Sequence, residues 1–257
     1  MAKLFIRDKI ISSNIELIMF DKDGTIIDIH HYWGSMIKKR AAIIVDKWFS
    51  NFSQCQKIRD ELVDGMGIDL KTGRMKPEGP VGIKPRTYIV KVVTEVINKY
   101  DMSKKEGEVE NIFKEVDHLT AKNLAPYLKL LPSVLNFIKQ CSKHNIKMAI
   151  VTTDITSRAK VALDTLNISR YFQYIIGADQ VENTKPYPDL AHKILAQSKV
   201  DISKAAVFGD HVVDIKMGIN SGVKHNIGVL TGLGELDDFT GLDCECIKSF
   251  EELKIEA

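Results

Sequence analysis

The sequence predicts an α/β chain: a parallel sheet covered by helices on both faces, with an all-α domain inserted after the first strand. Three observations predict it. Short apolar runs recur along the chain, each closing on a polar cluster; helical patterns separate most of them; and the first run is parted from the next by the interval 28–146, which carries helical patterning and one loop. A strand buried on both faces reads as a continuous apolar run rather than an alternating one, as a parallel sheet covered on both sides requires.

The runs are ELIMFD (16–21), IKMAIVTTD (146–154), YIIGAD (174–179), AAVFGD (205–210) and HNIGVLTG (225–232), with CECIKSF as a final strand. Helices are predicted between them from Val134, Leu135, Ile138 and Cys141, from Val161, Leu163 and Leu166, and from Leu190, Ile194 and Leu195. Alternation of strand and helix is the mark of a doubly covered parallel sheet.

In the long interval, Trp33, Met36, Ile37, Ile44, Val45 and Trp48 recur at helical spacing, and further helices are predicted over 55–63, 87–100 and 104–124. Between the second and third, GIDLKTGRMKPEGPVGIKPR (67–86) is rich in Gly, Pro and basic residues and reads as a loop or short hairpin. The expected organisation is a core of 1–28 with 126–257, and a helical domain over 29–125. No repeat or low-complexity segment stands out.

Composition narrows the function classes. A 257-residue chain that is 44% hydrophobic can bury a substantial core. Its 36 basic and 34 acidic residues are spread along the chain for a net charge of +2, without the basic stripe that grips nucleic acid, so neither DNA nor RNA is an expected partner. Four cysteines, Cys55, Cys141, Cys244 and Cys246, form no disulfide or zinc framework beyond one C-x-C pair, and reduced thiols are expected. The N-terminal stretch is broken by Lys3, Arg7, Asp8 and Lys9, and no segment approaches the roughly 20 apolar residues of a membrane span. A cytoplasmic protein without membrane contact is expected.

The polar groups that close the runs fall where an open parallel sheet binds ligands, outside the carboxyl ends of its strands. Asp21 and Asp23 follow the first strand, Thr152 and Thr153 the second, and Asp210 the fourth; Asp214 lies at a helix start, and Lys185 is expected to open the helix before the fourth strand. Two carboxylates about 4 Å apart repel by on the order of 4 kcal/mol at an effective dielectric of about 20, so several together need a counter-charge. Lys185 supplies one. A hard divalent cation with oxygen ligands, Mg²⁺ retaining several waters, supplies the rest.

The segments DKDGT, VTT, TKPYPD and GDHVVD, in this order, resemble the four motifs of the haloacid-dehalogenase-like superfamily, specifically its Mg²⁺-dependent phosphatases of the phosphoglycolate-phosphatase type. The likeness covers about 17–253, and the helical insertion resembles the family's cap. It implies a Rossmann-like core and a site assembled as follows. Asp21 is the nucleophile, giving an aspartyl-phosphate. Asp23 is the acid/base that protonates the leaving oxygen and activates water. Thr152 hydrogen-bonds a phosphoryl oxygen, and Lys185 offsets the charge of nucleophile and phosphate. Asp210, with the Asp21 carboxylate and the Asp23 main-chain carbonyl, holds Mg²⁺, and Asp214 supports the metal from close by. The main-chain N–H groups of Gly24 and Thr153 complete a phosphate cradle.

His30, Arg74 and Arg86 in the insertion are candidate contacts to the leaving group. Lys22 departs from the family pattern, standing where an apolar residue is more usual; Thr153 and Thr184 depart in place of Asn and Gly. The implied activity is hydrolysis of a small phosphate monoester, a sugar phosphate, phosphoglycolate or a nucleotide monophosphate, by a monomer or homodimer. Two alternatives stay open: a phosphomutase on the same core, and a non-catalytic binding or regulatory protein built on it.

Overall fold

The computed structural model describes residues 1–81 and 84–257. In chain order the elements are β1 (Lys3–Ile6), β2 (Lys9–Ser12), β3 (Leu17–Phe20), α1 (Ile29–Trp48), α2 (Cys55–Gly65), α3 (Arg86–Asn98), α4 (Glu106–Lys122), α5 (Val134–Lys143), β4 (Lys147–Val151), α6 (Thr156–Thr165), β5 (Tyr174–Ile176), α7 (Asp189–Ser198), β6 (Ala205–Gly209), α8 (Val212–Ser221), β7 (His225–Val229), β8 (Glu245–Ile247) and β9 (Leu253–Glu256). They divide into two compact units, Met1–Asp28 with Leu128–Ala257, and Ile29–Tyr127.

The first unit is built on a six-stranded parallel sheet in the order β5-β4-β3-β6-β7-β8. All four residues of β3 are buried, because alternate side chains enter opposite layers. Leu17 and Met19 join Val151, Leu190, Ile194, Val207 and Met217 in one layer, which includes residues of α7 and α8. Phe20 enters the other, with ring centroids 5.3 to 6.3 Å from those of Phe137, Phe172, Phe208 and Phe250. One tetrapeptide therefore anchors both faces of the sheet, which is why its sequence shows no alternation.

The chain leaves β3 toward β4 on one side and returns to β6 on the other. The crevice at this reversal lies between the carboxyl ends of β3 and β6. Their register pairs Phe20 with Phe208, and the ladder continues one residue further as the Asp21 amide donates to the Phe208 carbonyl at 2.8 Å. Asp21 and Asp210 are brought side by side by this pairing.

Three features differ from the sequence expectation. A second sheet, β2-β1-β9, joins the two chain ends antiparallel and buries Leu4, Ile6, Leu253 and Ile255; its strands are four residues long, β1 and β2 pairing locally and β1 and β9 across almost the whole sequence. Leu135 and Val161, placed in apolar helix faces by spacing, are exposed. The helix expected to open at Lys185 begins at Asp189, because two prolines, Pro186 and Pro188, disfavour helical backbone in the residues before them.

The second unit is helical. Contacts run from α1 to α2 and α4, and from α3 to α2 and α4. Its core comes from Ile37, Ala41 and Ile44 of α1, Ile58 and Leu62 of α2, Val93 and Ile97 of α3, and Ile112, Phe113 and Val116 of α4. Trp33 and Trp48 at the edges of the α1 stripe are half-buried. The predicted loop 67–86 includes residues 82 and 83, which lie outside the described residues. Its first part is a tight hairpin, with a bridge between Ile68 and Met75 and a turn held by Asp69 Oδ1, which accepts the Lys71 and Thr72 amides at 2.8 Å each. No helix among the described residues is long and apolar enough to cross a membrane.

Candidate active site

Four buried charged side chains converge beyond the ends of β3 and β6. Lys185 Nζ lies 2.6 Å from Asp21 Oδ1 and 2.6 Å from Asp214 Oδ1, bridging the two. Asp21, Asp210 and Asp214 each offer a carboxylate oxygen within 4.8 Å of the others, and all three are buried. Asp214 also caps α8, its Oδ2 accepting the His211 amide at 3.0 Å while His211 Nδ1 accepts the Val213 amide. Fixing the third residue of a helix in this way orients its second oxygen toward Lys185.

Asp210 is seated by groups that the sequence reading did not single out. Its Oδ1 accepts from Thr25 Oγ1 at 3.3 Å and its Oδ2 from the Leu233 amide at 2.9 Å. Two glycines make room for it: a Cβ on Gly24 would lie 2.2 Å from Asp210 Oδ2, and one on Gly232 would lie 1.8 Å from the same atom. Gly24 also has φ +92°, a conformation that side-chain-bearing residues rarely adopt. The glycines of DKDGT and VLTG thus serve close approach to a carboxylate, and Thr231 Oγ1 ties the two loops by donating to the Gly24 carbonyl at 2.6 Å.

Burial pushes the Asp21 carboxyl up from 3.8 to about 7, with Lys185 pulling it down and Asp214 and Asp23 adding to the rise. Asp210 is pushed well above its ordinary value, first by burial and then by Asp21 and Asp214. Lys185 is held above its ordinary value, the two carboxylates outweighing its burial. Three carboxylates against one ammonium leave two negative charges unbalanced when all are ionised. An all-oxygen cluster with that deficit fits a divalent cation of the Mg²⁺ class in both charge and donor chemistry.

Asp23 stands apart from this cluster. Its Oδ2 is 2.7 Å from Lys22 Nζ, and its Oδ1 is buried without a hydrogen-bond partner. Its carboxylate is not one of the three that the structure brings together. Thr152 is buried and accepts the Asp154 amide at 3.1 Å, which leaves its own hydroxyl hydrogen to donate elsewhere. Thr153 is exposed beside it. Gly24 does not present its N–H as a cradle: that group donates to the Ile27 carbonyl at 2.7 Å and closes the turn after β3.

In the helical unit, Arg74 and His30 are brought together. Arg74 Nη2 lies 2.6 Å from His30 Nε2, and His30 Nδ1 accepts the Met75 amide at 3.1 Å. Arg86 is bound to acidic neighbours, with its Nε 3.0 Å from Glu110 Oε2 and its Nη1 on Asp117. Arg40, almost fully buried, reaches the other Asp117 oxygen at 3.2 Å and lies over the Phe113 ring. The Arg86 guanidinium is thereby a structural link between α3 and α4.

A family model for haloacid dehalogenase-like hydrolases matches residues 15–222, which holds all of the carboxylates and the lysine above. The chain belongs to the haloacid dehalogenase-like hydrolases. Its likeness extends into the phosphoglycolate-phosphatase-like branch: it is 24% identical over 229 residues to a phosphoglycolate phosphatase of Aquifex aeolicus, covering 88% of this chain and 92% of that protein. It is 29% identical over 132 residues to the pyrophosphatase PpaX of Halalkalibacterium halodurans, covering 51% of this chain and 60% of the relative. Among solved structures, a subfamily IA hydrolase of Geobacter sulfurreducens superposes with a TM-score of 0.64 at 16% identity, over 94% of this chain and 97% of that one. This hydrolase fold is thus matched along nearly its whole length.

Proposed function

We propose that this hydrolase is a Mg²⁺-dependent phosphatase that cleaves a small phosphate monoester through a phosphoryl group carried on Asp21. The observation that carries the reading is the pairing of a buried, lysine-bound carboxylate at the sheet's reversal with a second carboxylate two residues on that has one unpartnered oxygen. Nucleophile and acid/base need this contrast in surroundings.

Asp21 attacks phosphorus as the ester oxygen leaves, and Asp23 gives that oxygen its proton. Water then attacks the phosphoryl group on Asp21, with Asp23 taking the proton back. Lys185 offsets the negative charge on Asp21 and on the incoming phosphoryl oxygens, and the Thr152 hydroxyl donates to one of them. When bound by Asp21, Asp210, Asp214 and the Asp23 carbonyl, Mg²⁺ would neutralise the charge that Lys185 leaves unbalanced and polarise the phosphoryl oxygens. His30 and Arg74 are the candidate contacts to the leaving group. A phosphorylated small metabolite is the substrate class.

The test is release of inorganic phosphate from a panel of sugar phosphates, phosphoglycolate, nucleotide monophosphates and aryl phosphates, with Mg²⁺ and with EDTA. Release that requires Mg²⁺ supports the reading. Isomerised phosphosugar without release would favour a mutase, and no turnover of any ester would contradict both.

Metal binding has a second readout in stability. The Asp21 carboxyl binds its proton more tightly in the folded chain than in the unfolded one, so between about pH 4 and 7 the unfolded state loses the proton first and the contribution of Asp21 to metal-free stability falls as pH rises. Lys185 is charged in both states across that window and adds no slope. Because metal ligands must be deprotonated, Mg²⁺ should raise the melting temperature more at about pH 7.5 than at about pH 5. Thermal unfolding with Mg²⁺ and with EDTA at the two pH values checks this; a larger Mg²⁺ effect at the lower pH would contradict it.

A further inference from the structure

Lys22 is a lysine with 1% of its side chain exposed, lying in sequence between the two catalytic aspartates. Its Nζ is 2.7 Å from Asp23 Oδ2 and 3.5 Å from Asp154 Oδ2. Asp154 is fixed in turn: its Oδ1 accepts the Ile155 amide at 2.8 Å and lies 3.0 Å from Arg158 Nη1, while its own amide donates to Thr152 Oγ1. The main chain of Lys22 is equally anchored, its carbonyl accepting the Ile26 and Ile27 amides at 3.0 and 2.9 Å. A methionine would occupy similar space without the several kcal/mol that removing an ammonium from water costs. The ammonium is offset by the two carboxylates it faces.

We infer that Lys22 is a positioning residue that fixes Asp23 by its Oδ2 and thereby assigns the proton exchanged in catalysis to Asp23 Oδ1. An ammonium hydrogen occupies Oδ2, and Oδ1 is the buried oxygen with no partner of its own. In the first half-reaction the Oδ1 proton passes to the ester oxygen as its bond to phosphorus breaks and the Asp21 oxygen–phosphorus bond forms. In the second, Oδ1 takes a proton from the water whose oxygen bonds to phosphorus as the bond to Asp21 breaks. Asp154 completes the clamp and ties it to the loop bearing Thr152, so the acid/base and a phosphoryl donor are held in one register. This inference rests on the phosphatase reading above.

The test compares wild type with Lys22→Met and Asp154→Asn on para-nitrophenyl phosphate, whose leaving group departs without a proton, and on the alkyl phosphate of the panel that wild type cleaves best. Lys22→Met should lower kcat/KM for the alkyl ester roughly 10- to 100-fold, while kcat/KM for para-nitrophenyl phosphate stays within about threefold. On para-nitrophenyl phosphate kcat and KM should fall together, with a burst of nitrophenol, because water attack still needs Asp23. Asp154→Asn should give the same selectivity to a smaller degree, and Lys22→Met should add no further loss in an Asp23→Asn background. Equal losses on both esters, or additive losses in the double variant, would overturn the inference. Absence of Mg²⁺-dependent release by wild type from every ester would instead remove the phosphatase reading, and this assignment with it.

Discussion

Asp21→Asn should abolish phosphate release, lowering kcat by on the order of 10⁴ or more, as removal of a nucleophile that acts with its partners does. Asparagine keeps the shape of the side chain but cannot accept a phosphoryl group through a carboxylate oxygen. The change also removes a desolvated carboxyl whose affinity for its proton is raised by burial. The metal-free variant should therefore melt no lower than wild type near neutral pH, and its backbone spectra should be unchanged. Activity lost at constant or higher stability separates a chemical role from a structural one. Activity within tenfold of wild type would place the nucleophile elsewhere.

Lys185→Met should cost both function and stability. The ammonium is fully buried and touches Asp21 and Asp214 at 2.6 Å each, so its loss leaves three buried carboxylates with no cation in the metal-free protein. Breaking a buried pair from one side costs about 3–5 kcal/mol, and that is the destabilisation expected at neutral pH in EDTA. The loss should shrink at acid pH, where the Asp21 and Asp210 carboxyls, both raised by burial, take up protons, and in Mg²⁺, which restores positive charge. Adding Asp214→Asn should recover part of the stability and none of the activity. Denaturant unfolding of the single and double variants, beside phosphate release, reads both effects. A Lys185→Met protein as stable as wild type at neutral pH in EDTA would contradict the electrostatic description of the site.

Much of the core site was legible because strand ends and reactive groups coincide in sequence. An apolar run closing on DKDGT or GDHVVD marks both the end of β3 or β6 and the carboxylates that follow. What sequence could not supply was contact between loops. Asp210 is seated by the Leu233 amide and by space left at Gly232, in a segment that reads only as a strand running into a turn. The engagement of the Gly24 N–H with Ile27 is likewise a property of the turn's closure, invisible in the letters DGT. Lys22 reads as a substitution without consequence until its depth and its two carboxylate neighbours are seen. The β2-β1-β9 sheet escaped because tetrapeptides such as KLFI and LKIE are too short to signal pairing between the chain's two ends. Arg86 looked like a ligand for an anion because its partners, Glu110 and Asp117, lie one helix away.

The central claim is that the phosphoryl group resides on Asp21 during turnover. Rapid mixing of enzyme, Mg²⁺ and ester, followed by acid quench and borohydride reduction, converts an aspartyl-phosphate to homoserine at the residue that carried it. Peptide mass spectrometry should find homoserine at position 21 alone, and only when ester and Mg²⁺ are both present. Homoserine at another aspartate, or unmodified Asp21 in enzyme quenched during an observed burst of leaving group, would contradict the account.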